Sequence, residues 1–125
     1  MALTTAGIKF LSQAAIGQGT PFNAANAQLG VGNGATAFAA GQTDLQGTSK
    51  VRKGMDPNYP SIEAPTVTFR STFGPAEANF QWNEWGIFNA ATGGVMLNRV
   101  VETNGVKQSN QTWIMEVDIT FEIGT

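Results

Sequence analysis

Phe80-Gln81-Trp82-Asn83-Glu84-Trp85-Gly86-Ile87-Phe88-Asn89-Ala90-Ala91-Thr92-Gly93-Gly94-Val95-Met96-Leu97-Asn98-Arg99 is the stretch whose reading decides the fold. Phe80 and Trp82 alternate with Gln81, the period of a strand with one buried face. Past Asn83-Glu84 the apolar phase flips to Trp85 and Ile87, which requires either a bulge or a strand buried on both faces. Ala91-Thr92-Gly93-Gly94 reads as a turn and Val95-Met96-Leu97 as the returning strand. The expectation is a hairpin at the centre of a sheet, with Trp82, Glu84, Trp85 and Phe88 in its interior.

Outward from this hairpin, more strands follow. Val67, Phe69, Ser71 and Phe73 alternate with Thr66, Thr68, Arg70 and Thr72. At the far end, Trp113, Met115, Val117, Ile119, Phe121 and Ile123 oppose Glu116, Asp118, Thr120 and Glu122, a long antiparallel strand with one wet face. Asn104-Gly105 before it is a hairpin-type signal. Ala27, Leu29 and Val31 form a short strand. Asp56–Pro65 carries Pro57, Pro60 and Pro65 and reads as an extended surface connection. Thr43-Asp44-Leu45 has the chemistry to cap a helical turn. Leu3–Ala15 is the helix candidate, with Thr4 or Thr5 as N-cap, Ile8, Leu11 and Ala15 on one face, Phe10 and Ala14 widening that stripe, and Gly17 or Gly19 ending it. Five or six strands, mostly joined by hairpin-length turns, and one N-terminal α-helix predict a mainly β fold. The expected form is an antiparallel β-sandwich, jelly-roll-like, as one domain over 1–125 with the helix laid on an edge or end.

Composition narrows the function. Asp, Glu, Lys and Arg make up 13% of the 125 residues, against roughly 25% in ordinary soluble domains. Charge depletion of this kind suits surfaces packed against other subunits. The net charge of −2 gives no basis for phosphate neutralisation, so no nucleic-acid partner is expected. No apolar run reaches the ~18 residues of a membrane span, and the N-terminus lacks the features of a signal peptide, so no membrane passage is expected.

The search for chemistry excludes more than it finds. The sequence contains neither His nor Cys, which removes the usual nucleophile–base pairs, thiolate sites and disulfides. No Asp-rich loop suggests calcium. The expectation is a non-enzyme without cofactor or metal. Gly30-Val31-Gly32-Asn33-Gly34-Ala35 matches the G-x-G-x-x-G/A phosphate fingerprint in letters, but no βαβ unit surrounds it, and it reads as a flexible turn. Glu84 is an acid in an apolar setting; it requires a basic partner or backbone N–H groups, and Arg70 and Arg99 on flanking strands are the candidates. Lys50, Arg52 and Lys53 form a short basic cluster, read as a solvated segment or a contact with an acidic neighbouring subunit. Trp82, Trp85, Phe88 and Trp113 fall in strand periodicity and are read as core; exposed, coplanar rings in a groove would instead mark a carbohydrate-binding module.

Trp82-Asn83-Glu84-Trp85-Gly86-Ile87-Phe88-Asn89, then Gly93-Gly94, then Met96-Leu97, resembles the tail-collar and tail-fibre attachment domains of tailed bacteriophages. In that family an acid and a Gly-aliphatic-Phe-Asp/Asn step precede a Gly turn and an apolar strand. Leu3-Thr4-Thr5-Ala6-Gly7, Gly19-Thr20-Pro21, Leu29-Gly30-Val31-Gly32-Asn33-Gly34 and Gly105-Val106-Lys107 are similar to the family in the same order. The resemblance implies a structural protein of the virion, assembled in the bacterial host cytoplasm, self-associating as a homo-oligomer and bound to other capsid or tail proteins. Fibre proteins of this kind continue into a shaft and receptor-binding tip, whereas this sequence stops at Thr125. The expectation therefore leans to capsid decoration, with a tail, collar or baseplate adaptor as the alternative and a carbohydrate-binding module as a remoter one.

Overall fold

The alternating segments around Phe69 and Val117 pair with each other, and this pair anchors one of two layers. The computed structural model describes residues 2–124; Met1 and Thr125, the ends of the expected 1–125 domain, lie outside the described residues. In chain order the elements are α1 (Thr5–Ala14), β1 (Gln28–Gly32), β2 (Lys50–Gly54), β3 (Ser61–Glu63), β4 (Thr66–Phe73), β5 (Glu84–Phe88), β6 (Met96–Val101) and β7 (Trp113–Thr120). A four-stranded antiparallel sheet runs β2-β1-β5-β6, and a three-stranded antiparallel sheet runs β3-β4-β7. Leu29 and Ile87 of the first meet Phe69, Val117 and Ile119 of the second in one buried cluster. The fold is thus a mainly β, two-layer antiparallel arrangement with one helix.

β4 and β7 pair from Thr66↔Thr120 to Phe73↔Trp113 without interruption. Their odd-numbered side chains turn inward and Thr, Arg, Glu and Asp turn outward, which is the half-wet strand that alternation specifies. β5 differs, being buried on both faces. Trp85 and Ile87 point to the core between the sheets, whereas Phe88 packs on the opposite face with Leu45 and Met96. The flip after Asn83 therefore has the both-faces explanation, and a bulge lies further on, between Ile87 and Phe88. There the Asn98 side-chain oxygen accepts the Ile87 N–H at 3.1 Å.

Several expectations are corrected. Seven strands are present among the described residues, not five or six. One not expected is β3, which pairs with β4 inside the segment read as a plain extended connection. The connections are also longer than hairpin turns, because β1 and β2 are separated by the loop 33–49. That loop holds no helical turn at Thr43; Leu45 instead drops onto Phe88 and Met96 and covers the outer face of the sheet. The hairpin is displaced from the centre: β5 is interior, but β6 is the sheet edge. Phe80–Trp82 forms no strand, its contribution being a bridge at Gln81↔Val106. Asn104-Gly105 pairs with this segment, Trp82 N–H donating to the Gly105 carbonyl at 2.8 Å, so it turns no hairpin between β6 and β7. Those strands belong to different sheets. Phe121 and Ile123 leave β7 and are 54% and 97% exposed.

The helix begins as expected, with the Thr4 hydroxyl accepting the Gly7 N–H at 2.9 Å, and both Gly17 and Gly19 adopt positive φ after it. Its buried face agrees with the expectation only in part: Leu11 packs against the core cluster and Phe10 is buried, but Ile8 is not, being 54% exposed. Gly7 is buried as well. A β-carbon at Gly7 would collide with the Leu97 carbonyl, so the missing side chain lets helix and β6 approach backbone to backbone. Thr4 fixes this contact by donating its hydroxyl to the Met96 carbonyl.

Candidate functional site

Glu84 begins β5 directly opposite Gly32 of β1, and the absent side chain there makes room for a carboxylate. One oxygen, Oε1, accepts Arg99 Nε and the Gln46 N–H, both at 2.8 Å. The other, Oε2, accepts the Gly34 N–H at 2.9 Å and the Gly47 N–H at 2.7 Å. Both charged side chains have no exposed surface. Arg99 also donates through Nη1 to the Thr36 carbonyl at 2.8 Å and to Gln42 Oε1 at 3.1 Å. The cluster therefore ties the loop 33–49 to the outer face of the sheet. A carboxylate with four donors in place has no lone pair directed at a substrate, so its role is mechanical.

Arg99 is thus the partner of Glu84, and Arg70 is not. Arg70 lies on the outward face of β4 in the other sheet and pairs with Asp56 at 3.2 Å. Both arginines flank Glu84 at similar distance in sequence, which hid the fact that they sit in different layers.

The basic cluster on β2 is matched inside the chain. Lys50 and Arg52 reach Asp44 at 2.9 and 3.3 Å, and Lys53 pairs with Glu77. Arg52 lies 3.6 Å above the Phe88 ring and donates to the Ala90 and Gly93 carbonyls. Burial raises the Asp44 carboxyl, but hydrogen bonds from Lys50, the Leu45 N–H and Arg52 outweigh it and hold the group below the usual carboxylate range. Glu77 is held low by the Lys53 hydrogen bond first and the Gly74 N–H second.

The aromatic residues divide into two groups. Trp82 is buried, donates its indole N–H to the Ala78 carbonyl at 3.0 Å, and meets Phe73 and Trp113 edge-on. Phe88 is buried under Leu45. Trp85 and Trp113 are half-buried, packing on the core with one side. With the other they line a groove of about 740 Å³ that also takes in Glu102, Asn104 and residues 112–118. Trp85 Nε1 donates to Glu102 at 2.8 Å. Trp82 and Trp113 are inclined by 72°, so this pair offers no coplanar platform for a sugar ring.

Sequence reasoning missed the backbone donors Gly34, Gln46 and Gly47, since any residue carries an N–H. It also missed Lys107, which is 1% exposed and donates to the Gly74 carbonyl and Asn79 Oδ1 at 2.7 and 2.8 Å. No group of three or more metal-ligating side chains occurs among the described residues, nor any helix long and apolar enough to cross a membrane. Compared with protein-family models, curated proteins and solved structures, the chain has no match.

Proposed function

We propose that the chain is a non-enzymatic structural module of a tailed-bacteriophage virion that docks on the particle surface, capsid decoration standing ahead of a tail, collar or baseplate adaptor. One observation carries the reading. Several residues of the motifs behind the phage resemblance, among them Thr4, Gly7, Gly32, Gly34 and Glu84, make structural contacts around the four-stranded sheet. Thr4 and Gly7 lock α1 onto Met96 and Leu97. Gly32 and Gly34 frame Glu84, and Arg99 closes on it. These scaffold contacts are compatible with the architecture that the resemblance implies, and the resemblance supplies the function. The low charge supports the same reading, because such a surface loses little when it is covered. Many weak contacts, multiplied by copy number, then supply the attachment.

Locating the protein in particles of the phage that encodes it, by electron microscopy with quantitative mass spectrometry, tests the proposal. Many copies spread over the head are expected; a few at one vertex would make it a tail part. A monomer in solution that binds no virion protein and is missing from the particle would overturn the reading.

A further inference from the structure

β7 is the outer strand of its sheet, pairing with β4 on one side and with no strand on the other among the described residues. Two loop bonds fix which of its backbone groups are free. The Asp56 N–H takes the Arg70 carbonyl, and the Phe121 N–H takes the Pro65 carbonyl. In an antiparallel ladder the N–H and C=O of a residue point to the same side. Even-numbered residues of β4 therefore face β3, and the β4–β7 ladder is made by odd-numbered residues of both strands. The N–H and C=O of Ile114, Glu116 and Asp118 are left pointing along the open edge.

The groove beside Trp85 follows this edge. Residues 112–118 line it without a gap, although successive side chains point to opposite faces, so the wall is the strand's own rim. Its charged lining consists of Glu84, Glu102, Glu116 and Asp118, with no Lys or Arg among the described residues. Arg99 neutralises Glu84, which leaves three acids. The eight residues of β7 contain no Pro, Gly or Lys and pair without a bulge, so the two acids are the only device among these that guards the edge, and they guard it against like charge. A second copy of β7 would set Glu116 and Asp118 against like charges, which disfavours self-pairing.

We propose that β7 accepts an extended segment of a partner protein as an added strand, with Lys or Arg at the positions beside Glu116 and Asp118 and apolar residues beside Trp113 and Met115. Backbone bonds would supply attachment and the alternate side chains selectivity. Strand addition follows from the edge and the groove alone, whatever assembly carries the chain, so its failure leaves the virion reading untouched.

A labelled peptide alternating Lys and Val, titrated against the whole protein and followed by anisotropy and tryptophan emission, tests it. Binding is expected at low salt, weakened about tenfold or more by replacing Lys with Glu or by N-methylating alternate peptide nitrogens. Glu116→Pro is expected to abolish binding with an unchanged unfolding midpoint, because that N–H makes no ladder bond. Glu116→Gln with Asp118→Asn keeps the test decisive if the proline variant fails to fold; it should weaken the Lys peptide and not a Ser–Val peptide. Equal binding of the N-methylated peptide, no binding of the Lys peptide, or quenching by maltohexaose in place of peptide would overturn the proposal. So would a wild-type dimer that Glu116→Pro converts to monomer.

Discussion

Replacing Glu84 by glutamine changes one atom, leaves no cavity, and tests the reading of the hairpin as scaffold. The carboxylate accepts four hydrogen bonds, two on each oxygen. A glutamine amide has one oxygen, so its NH2 group must face two donors whichever way it turns. With the oxygen toward Gly34 and Gly47, Arg99 becomes a buried charge without its acid, which costs about 3–5 kcal/mol. With the oxygen toward Arg99, two buried N–H groups lose their acceptor at about 1–3 kcal/mol each. Both orientations remove a few kcal/mol from a total of about 5–15 kcal/mol. At about 2–8 °C per kcal/mol for domains near this size, the unfolding midpoint should fall by about 10 °C or more. Scanning calorimetry of both proteins at neutral pH measures it. A fall of less than about 2 °C would refute the reasoning, since no arrangement of the amide satisfies all four donors. The double variant Glu84→Leu with Arg99→Met sharpens the test. Buried ion pairs can often be replaced by apolar residues without loss, but here the N–H groups of Gly34, Gln46 and Gly47 would still be orphaned. The double variant should therefore stay well below wild type; recovery would mean that the loop 33–49 does not depend on the carboxylate.

Gly7→Ala should destabilise despite the better helix propensity of alanine, worth about 1 kcal/mol. The new methyl meets the Leu97 carbonyl, and overpacking of that kind costs about 1–3 kcal/mol, readable as a lower midpoint in urea. Asp44 and Glu77 are held below their usual values by their basic neighbours. The unfolded chain then takes up more protons between the folded and unfolded values, so their stabilisation is present above about pH 4 and fades as pH falls through the lowered ones. Thermal midpoints from neutral pH downward should show this acid limb, and Asp44→Asn should start lower at neutral pH and lose part of the slope.

How much of this was legible depended on where each side chain points. β4 and β7 could be read because one face is wet, and alternation exists only when the faces differ. β5 could not be read that way, since Glu84 and Phe88 are enclosed under the loop 33–49 while Ile87 is enclosed in the core. Phe80–Trp82 alternates correctly yet pairs with a few loop residues rather than a strand, which periodicity cannot show. The helix stripe holds at Phe10 and Leu11 but not at Ile8, because the closest contact is made by Gly7, and a hydrophobic stripe gives no weight to a missing side chain. Glu84 stood out as an acid in an apolar run, and Arg99 was within reach of inference. Its other donors were not, because three of them are backbone groups brought in from far along the chain. Trp85 and Trp113 were read as core by the same periodicity as Trp82. Their half-exposure arises from the groove that both line beside β7, a property of how the layers meet rather than of either strand.

The glycine pattern from Gly30 to Gly34 unites these observations. By its letters it is a phosphate-binding loop, and by its context it is a turn. In the fold it supplies one backbone N–H, that of Gly34, which joins those of Gln46 and Gly47 in holding an anion as phosphate loops do, but the anion is the chain's own Glu84. Gly34 and Gly47 donate to one oxygen, and β-carbons at Gly32, Gly34 or Gly47 would strike that same oxygen. The physics that makes such loops useful for ligands is therefore present, with the site occupied from within. An internal occupant cannot dissociate, so the cradle is a fastener and not a binding site. Recognition of other molecules is left to groups that the fold does not already satisfy, and among the described residues the longest edge strand offering them is β7, beside the groove.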